Sequence, residues 1–214
     1  MLKSLLKKEL LFEWRSLFQL GGLISFLIGV SYLVYFFAGE LSARVWNLMY
    51  WIIFLFLTFF AASRSYEEDN TRYKIYTYQL SSPIKLFVAK ASYLFVIIFL
   101  FGFLLVLIFN AWIPRENSFS LSWFFILAIV SLGFSLLTAF TSFIASHGQV
   151  KQILMVIISL PLCFPLVGMA FSLSMDVLNG ESIRLLVTKF YPLLAIDLMA
   201  LALVTFLLPL TWKN

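Results

Sequence analysis

Residues 49–62 read MYWIIFLFLTFFAA and carry no charge. Comparable apolar runs recur along the whole 214-residue chain. About 20 such residues make a helix long enough to span the hydrocarbon core of a bilayer. Inside that core every backbone N–H and C=O must be satisfied within the protein, which leaves helices or closed barrels. Barrel strands are about ten residues of alternating polarity, whereas these runs are longer and apolar on every face. The chain is 63% hydrophobic and 12% charged, against about 25% charged for a soluble domain. Lipid is therefore the solvent for most of these side chains. The expected fold is all-α and integral to the membrane. Six transmembrane helices are expected, at about 17–38, 41–62, 86–113, 121–145, 153–174 and 191–212. Residues 1–214 then form a single transmembrane domain, with no room for a soluble one.

Orientation follows from Lys and Arg in the loops. With the N-terminus in the cytoplasm, that side holds Lys3, Lys7, Lys8, Arg15, Arg64, Arg72, Lys74, Lys85, Lys90, Lys151 and Lys213. The outside holds only Arg44, Arg115, Arg184 and Lys189. Both termini are thus expected inside. The net charge of +5 reads as a topology signal with attraction to anionic membrane lipid, not as nucleic-acid binding. No cleavable signal peptide is expected, because the basic start lacks a small-residue cleavage site. Trp46, Trp112, Trp123 and Trp212 fall near span ends, as in the aromatic belts of membrane interfaces, with Trp51 deeper.

Before the first span, Leu2, Leu5, Leu6, Leu10, Trp14 and Leu17 recur at helical spacing among Lys3, Lys7, Lys8 and Arg15. Residues 1–17 suit an amphipathic helix lying in the interface; a frayed tail is the alternative. Residues 63–85 form the longest polar stretch. There Tyr73, Tyr76 and Leu80 share a helix face, rimmed by Glu67, Glu68, Asp69, Arg72 and Lys74. Such a helix can dock a soluble partner; the alternative is a solvated loop. Ser82-Pro83 suits an N-cap followed by proline at the first helical position, so Pro83 should begin the third span's helix. Residues 175–190 are apolar enough to dip back into the membrane from outside.

Few residues offer chemistry. No G-x-x-x-x-G-K-[ST] phosphate loop, HExxH or Cys/His cluster is present, so no metal site is expected. Cys163 is alone and reads as a small buried apolar residue. His147 is the single histidine, a haem ligand or, more simply, an interfacial residue. Ser131, Ser135, Thr138 and Ser142 share one face of the fourth span, suiting close helix packing or the lining of a polar path. Gly21, Ser25 and Gly29 form a similar packing face in the first span. Asp197 is the one acid well inside a span, about 9 Å along the axis from Tyr191. A central Asp costs roughly 2.5–3.5 kcal/mol on insertion scales. It either faces the protein interior as a functional group or is a near-interface acid reaching headgroups or Lys189. Pro161 and Pro165 should kink or break the fifth span, as a hinge or as a shape for packing.

Four stretches carry a resemblance. They are KELLFEWR at 8–15, ASRSYEEDNTRYKIYTYQLSSPIKLFVAK at 62–90, FIASHGQVKQILMVIISLPLCFPL at 143–166 and AIDLMALALVTFLLPLTWKN at 195–214. Their order and spacing resemble haem exporter protein B, the membrane permease subunit of the cytochrome c maturation system. The charge of the 67–72 patch departs from that pattern. The resemblance implies an ABC-2 type permease with an amphipathic N-terminal helix, six spans and a cytoplasmic coupling helix. It implies a cognate ABC ATPase subunit docking near Glu67, Glu68, Asp69, Arg72, Tyr73, Tyr76 and Pro83. It also implies a second copy of the permease, haem-handling membrane proteins as partners, and the bacterial inner membrane as location. ATP would be hydrolysed by the partner and haem would be a substrate, with no cofactor bound by this chain, which is then a permease and not an enzyme. Two other readings stay open: an ABC-2 permease exporting another amphiphile such as a lipid-linked sugar or drug, and a non-transporting membrane scaffold.

Overall fold

Chains this apolar satisfy their backbone by forming helices, and the helices end where the sequence supplies caps. A computed structural model describes residues 17–39, 41–67, 83–145, 151–181 and 183–212. Among these residues it has α1 (Leu17–Ala38), α2 (Ala43–Glu67), α3 (Pro83–Trp112), α4 (Leu121–Ala145), α5 (Lys151–Leu178) and α6 (Ile183–Trp212). Ser42 and Ser120 open α2 and α4: their hydroxyls accept from the amides of Val45 at 3.4 Å and Trp123 at 3.3 Å. Such N-caps satisfy amides that the helix cannot reach. Gly180 ends α5 at a φ of 82°. Its amide reaches Val177 O at 3.0 Å and the Glu181 amide reaches Asp176 O at 3.0 Å, a Schellman closure that only a residue tolerant of positive φ makes without strain.

The chain is a multi-pass membrane protein by its helices. Ala43–Ser63, Ile84–Trp112, Leu121–Ser142 and Ile153–Leu178 are long and apolar enough to cross a bilayer. Shorter apolar stretches lie at Gly21–Phe37 and Phe190–Ala202. Residues 175–190 form no separate element: α5 runs on to Leu178, residues 179–181 turn, and α6 starts at Ile183. Nor do Pro161 and Pro165 break α5, which is one continuous helix containing both. A transmembrane helix can carry proline when its neighbours and local geometry re-satisfy the freed carbonyls.

α4 lies at the centre, packed against α2, α3, α5 and α6, while α1 packs chiefly against α3. The core at one end is aromatic. Trp46 stacks on Tyr50 at 5.8 Å, and Trp123 meets both edge-on at 5.5 and 5.3 Å. Phe54 continues the column to Phe134 at 5.7 Å. Trp46, Trp51 and Trp123 are at most 1% exposed, so these three build the core and not an interfacial belt. The physical reason is their polar handle. Trp46 Nε1 donates to Ile113 O at 3.1 Å, Tyr50 OH to Gly102 O at 3.1 Å, and Trp51 Nε1 to Ser174 Oγ at 2.8 Å. Each ties α2 to a neighbour where lipid offers no competing partner. Trp112, in contrast, is exposed.

The small face of α1 also differs from expectation. Gly21, Ser25 and Gly29 are exposed, and no atom approaches a Cβ built on either glycine. α1 instead buries Leu23, Leu27 and Ser31, whose spacing of four makes an alternative stripe. The larger side chains win because they fill the contact with α3.

Candidate functional site

The polar residues of α4 lie on its packed side. Ser131, Ser135, Thr138 and Ser142 are all at most 2% exposed. Three of them bond back to their own helix. Ser135 Oγ donates to Leu132 O at 2.8 Å and Thr138 Oγ1 to Phe134 O at 2.6 Å, while Ser142 Oγ reaches Thr138 O. Such back-bonding leaves a hydroxyl-bearing surface that needs nothing from a neighbour. Ser131 is the exception, its Oγ buried without a hydrogen-bond partner.

Asp197 of α6 sits on this side of α4. It is 4% exposed, and neither carboxyl oxygen has a hydrogen-bond partner among the described residues. It therefore does not reach out to headgroups. A Cβ built on Gly133 would run into Asp197 Oδ1 and come within 3.0 Å of both Leu166 methyls. Glycine at 133 is what lets α4 accept the carboxyl of α6 and the leucine of α5 together. An unsatisfied buried polar group costs about 1–3 kcal/mol, so the seam holds unspent polarity.

Next to it opens an apolar cleft of about 400 Å³, walled by residues of α3, α4 and α6 that include Val88, Phe95, Ser135 and Leu201. Ser135 and Leu201 each lie one helical turn from Ser131 and Asp197 on the same faces. The structure thus brings the serine stripe and Asp197 to one seam. It leaves Pro161 and Pro165 exposed on α5, away from that seam. Glu67 is the last residue of α2 and Pro83 the first of α3. Glu68, Asp69, Arg72, Tyr73, Tyr76, His147 and the 1–16 segment lie outside the described residues.

Two features were not foreseen. Asn47, Trp51 and Ser174 make a buried polar knot between α2 and α5. Ser174 Oγ lies 2.8 Å from Asn47 Oδ1, and Asn47 Nδ2 donates to Phe171 O at 2.9 Å. Asn47 is an amide near the start of an apolar run, which was the available signal. The second is a pocket of about 1010 Å³ between the C-terminal ends of α1 and α3, walled by Tyr35, Phe36, Trp112 and Arg115 among others. Tyr32 and Tyr35 pack on Trp112 at 5.4 and 5.6 Å between ring centroids. The Arg115 amide donates to Asn110 Oδ1 at 3.0 Å, fixing the start of the α3–α4 loop. Arg115 Nε is buried with no hydrogen-bond partner.

Among the described residues no group of three or more His, Cys, Asp or Glu is placed to hold a metal ion. No family model matches this sequence, and neither a curated protein nor a solved structure matches it.

Proposed function

We propose that this chain is the membrane permease subunit of an ATP-driven complex that handles haem for c-type cytochrome maturation. The order of the four stretches that resemble haem exporter protein B, at 8–15, 62–90, 143–166 and 195–214, carries the reading. The multi-pass helical architecture and the polar connection between the end of α2 at Glu67 and the start of α3 at Pro83 support it. In this reading the chain has six spans of the ABC-2 type in the bacterial inner membrane. A cognate ATPase docks on the α2–α3 connection and hydrolyses ATP, a second copy completes the permease, and haem-handling membrane proteins assemble with it. Deletion of the gene, followed by haem staining of periplasmic c-type cytochromes, tests the proposal. Loss of the stained cytochromes, restored by the gene in trans, is expected. Normal cytochrome levels exclude the assignment.

The apolar cleft beside Ser135 favours a second reading, a permease of the same architecture for an acyl-bearing amphiphile. Under it the deletion leaves cytochromes intact and alters the lipid or drug-resistance profile.

Both readings put the termini in the cytoplasm. Single cysteines in a Cys163→Ala background should then react with an impermeant maleimide at Asn117 or Gly180 in intact cells. One at Asn70 should react only after permeabilisation. The reverse pattern inverts the topology.

A further inference from the structure

The pocket between the ends of α1 and α3 has two chemically distinct walls. One is aromatic: Tyr35, Phe36 and Trp112 line it, and all three are exposed. The other is cationic. Arg115 is the one charged side chain among the described lining residues, and its Nε is buried without a partner. The volume, about 1010 Å³, is at the upper end of the roughly 300–1,000 Å³ usual for small-molecule sites.

Each wall selects a part of a ligand. Flat aromatic faces take a flat conjugated body through offset or edge contacts. A guanidinium matches a carboxylate in geometry as well as charge, because its planar fork donates two parallel hydrogen bonds. Its backbone is held for that role: Asn110 Oδ1 accepts from the Arg115 amide at 3.0 Å, and Ser118 Oγ lies 2.7 Å from that same oxygen. Ordinary interfacial aromatics do not need a cation whose donor is buried and unused.

We propose that this pocket binds a planar, conjugated ligand bearing a carboxylate, with the ring system against Tyr35, Phe36 and Trp112 and the carboxylate on Arg115. The site deepens the proposed haem-handling function by giving it a ligand site at the end of the bundle where α3 closes. It rests on that reading for its biological ligand alone; the chemistry of the walls stands without it.

The probe is metal-free protoporphyrin IX, compared with its dimethyl ester, titrated into the full chain in phosphatidylcholine nanodiscs. Porphyrin absorbance and quenching of tryptophan fluorescence report binding. The free acid should bind at least about tenfold more tightly than the ester. Arg115→Gln should weaken the acid to the level of the ester and leave the ester unchanged. Trp112→Leu should weaken both. Equal binding of acid and ester by the unaltered chain overturns the proposal even if the variants fail to fold. Displacement of the acid by phosphatidylglycerol in the nanodisc also overturns it, and assigns Arg115 to a lipid phosphate. Cytochrome staining keeps the two claims apart. A chain required for maturation that ignores the carboxylate loses this site and keeps its function. A chain that binds the acid but is dispensable for cytochromes keeps the site and loses the function.

Discussion

Trp46→Ala should destabilise the bundle by about 3–5 kcal/mol, the usual cost of truncating a buried Trp. The fall is measurable as a lower unfolding midpoint in detergent. Trp46 is wholly buried and touches Tyr50, Phe109 and Trp123. Its indole N–H also holds Ile113 O, a carbonyl beyond the end of α3 with no lipid donor to replace it. In a membrane the apolar part of this cost comes from lost dispersion contacts and an unfilled cavity, since lipid tails solvate an indole better than water does. Trp46→Phe refills most of the space but removes the donor, and should recover about half of the loss. Trp112→Ala, on an exposed ring, should change stability by about 0.5 kcal/mol or less. Equal effects at positions 46 and 112 would mean that the aromatic column is not the core.

The second large effect is at Gly133. Alanine there places a methyl against the Asp197 carboxyl and both Leu166 methyls, and overpacking costs typically 1–3 kcal/mol. Shortening the opposing side chain should relieve the clash. In the Gly133→Ala, Asp197→Ala cycle, the double variant should therefore be more stable than the sum of the single effects predicts. Coupling between touching residues is usually 0.5–3 kcal/mol, and a value near the upper half is expected here. Asp197→Asn keeps the volume and should not relieve Gly133→Ala. Strict additivity in the alanine cycle would show that α4 and α6 do not meet at this point.

Much of the helical framework was legible because a bilayer imposes length on apolar runs. α1 and α4 occupy 17–38 and 121–145, as the hydropathy alone suggests. The ends of α2, α5 and α6 were less visible. Arg64, Lys151 and Arg184 lie inside those helices, where a charge had been taken as the start of a loop. Asp197 stood out as a lone acid in a span, but its contact with Gly133 did not, because a glycine carries no sign of what it makes room for. Asn47 and Ser174 are far apart in the chain and unremarkable in composition; only packing makes them partners. Trp46 and Trp123 misled for a related reason. Their place near span ends fits an interface, and only the fold decides which way each ring turns.

α1 is held by essentially one seam, its contact with α3, while Phe26, Leu33, Phe36 and Phe37 face outward. Rolling α1 about that seam exchanges one lipid-facing surface for another and disturbs neither the aromatic column nor the α4–α6 contact. The restoring force on α1 is accordingly the weakest in the bundle. Collective helix motions of this kind fall in the microsecond-to-millisecond range. Because α1 supplies Tyr35 and Phe36 to the outer pocket, the width of its mouth is governed by this soft rolling coordinate. Any ligand would then be admitted at a rate set by the viscosity of the surrounding lipid more than by diffusion through water.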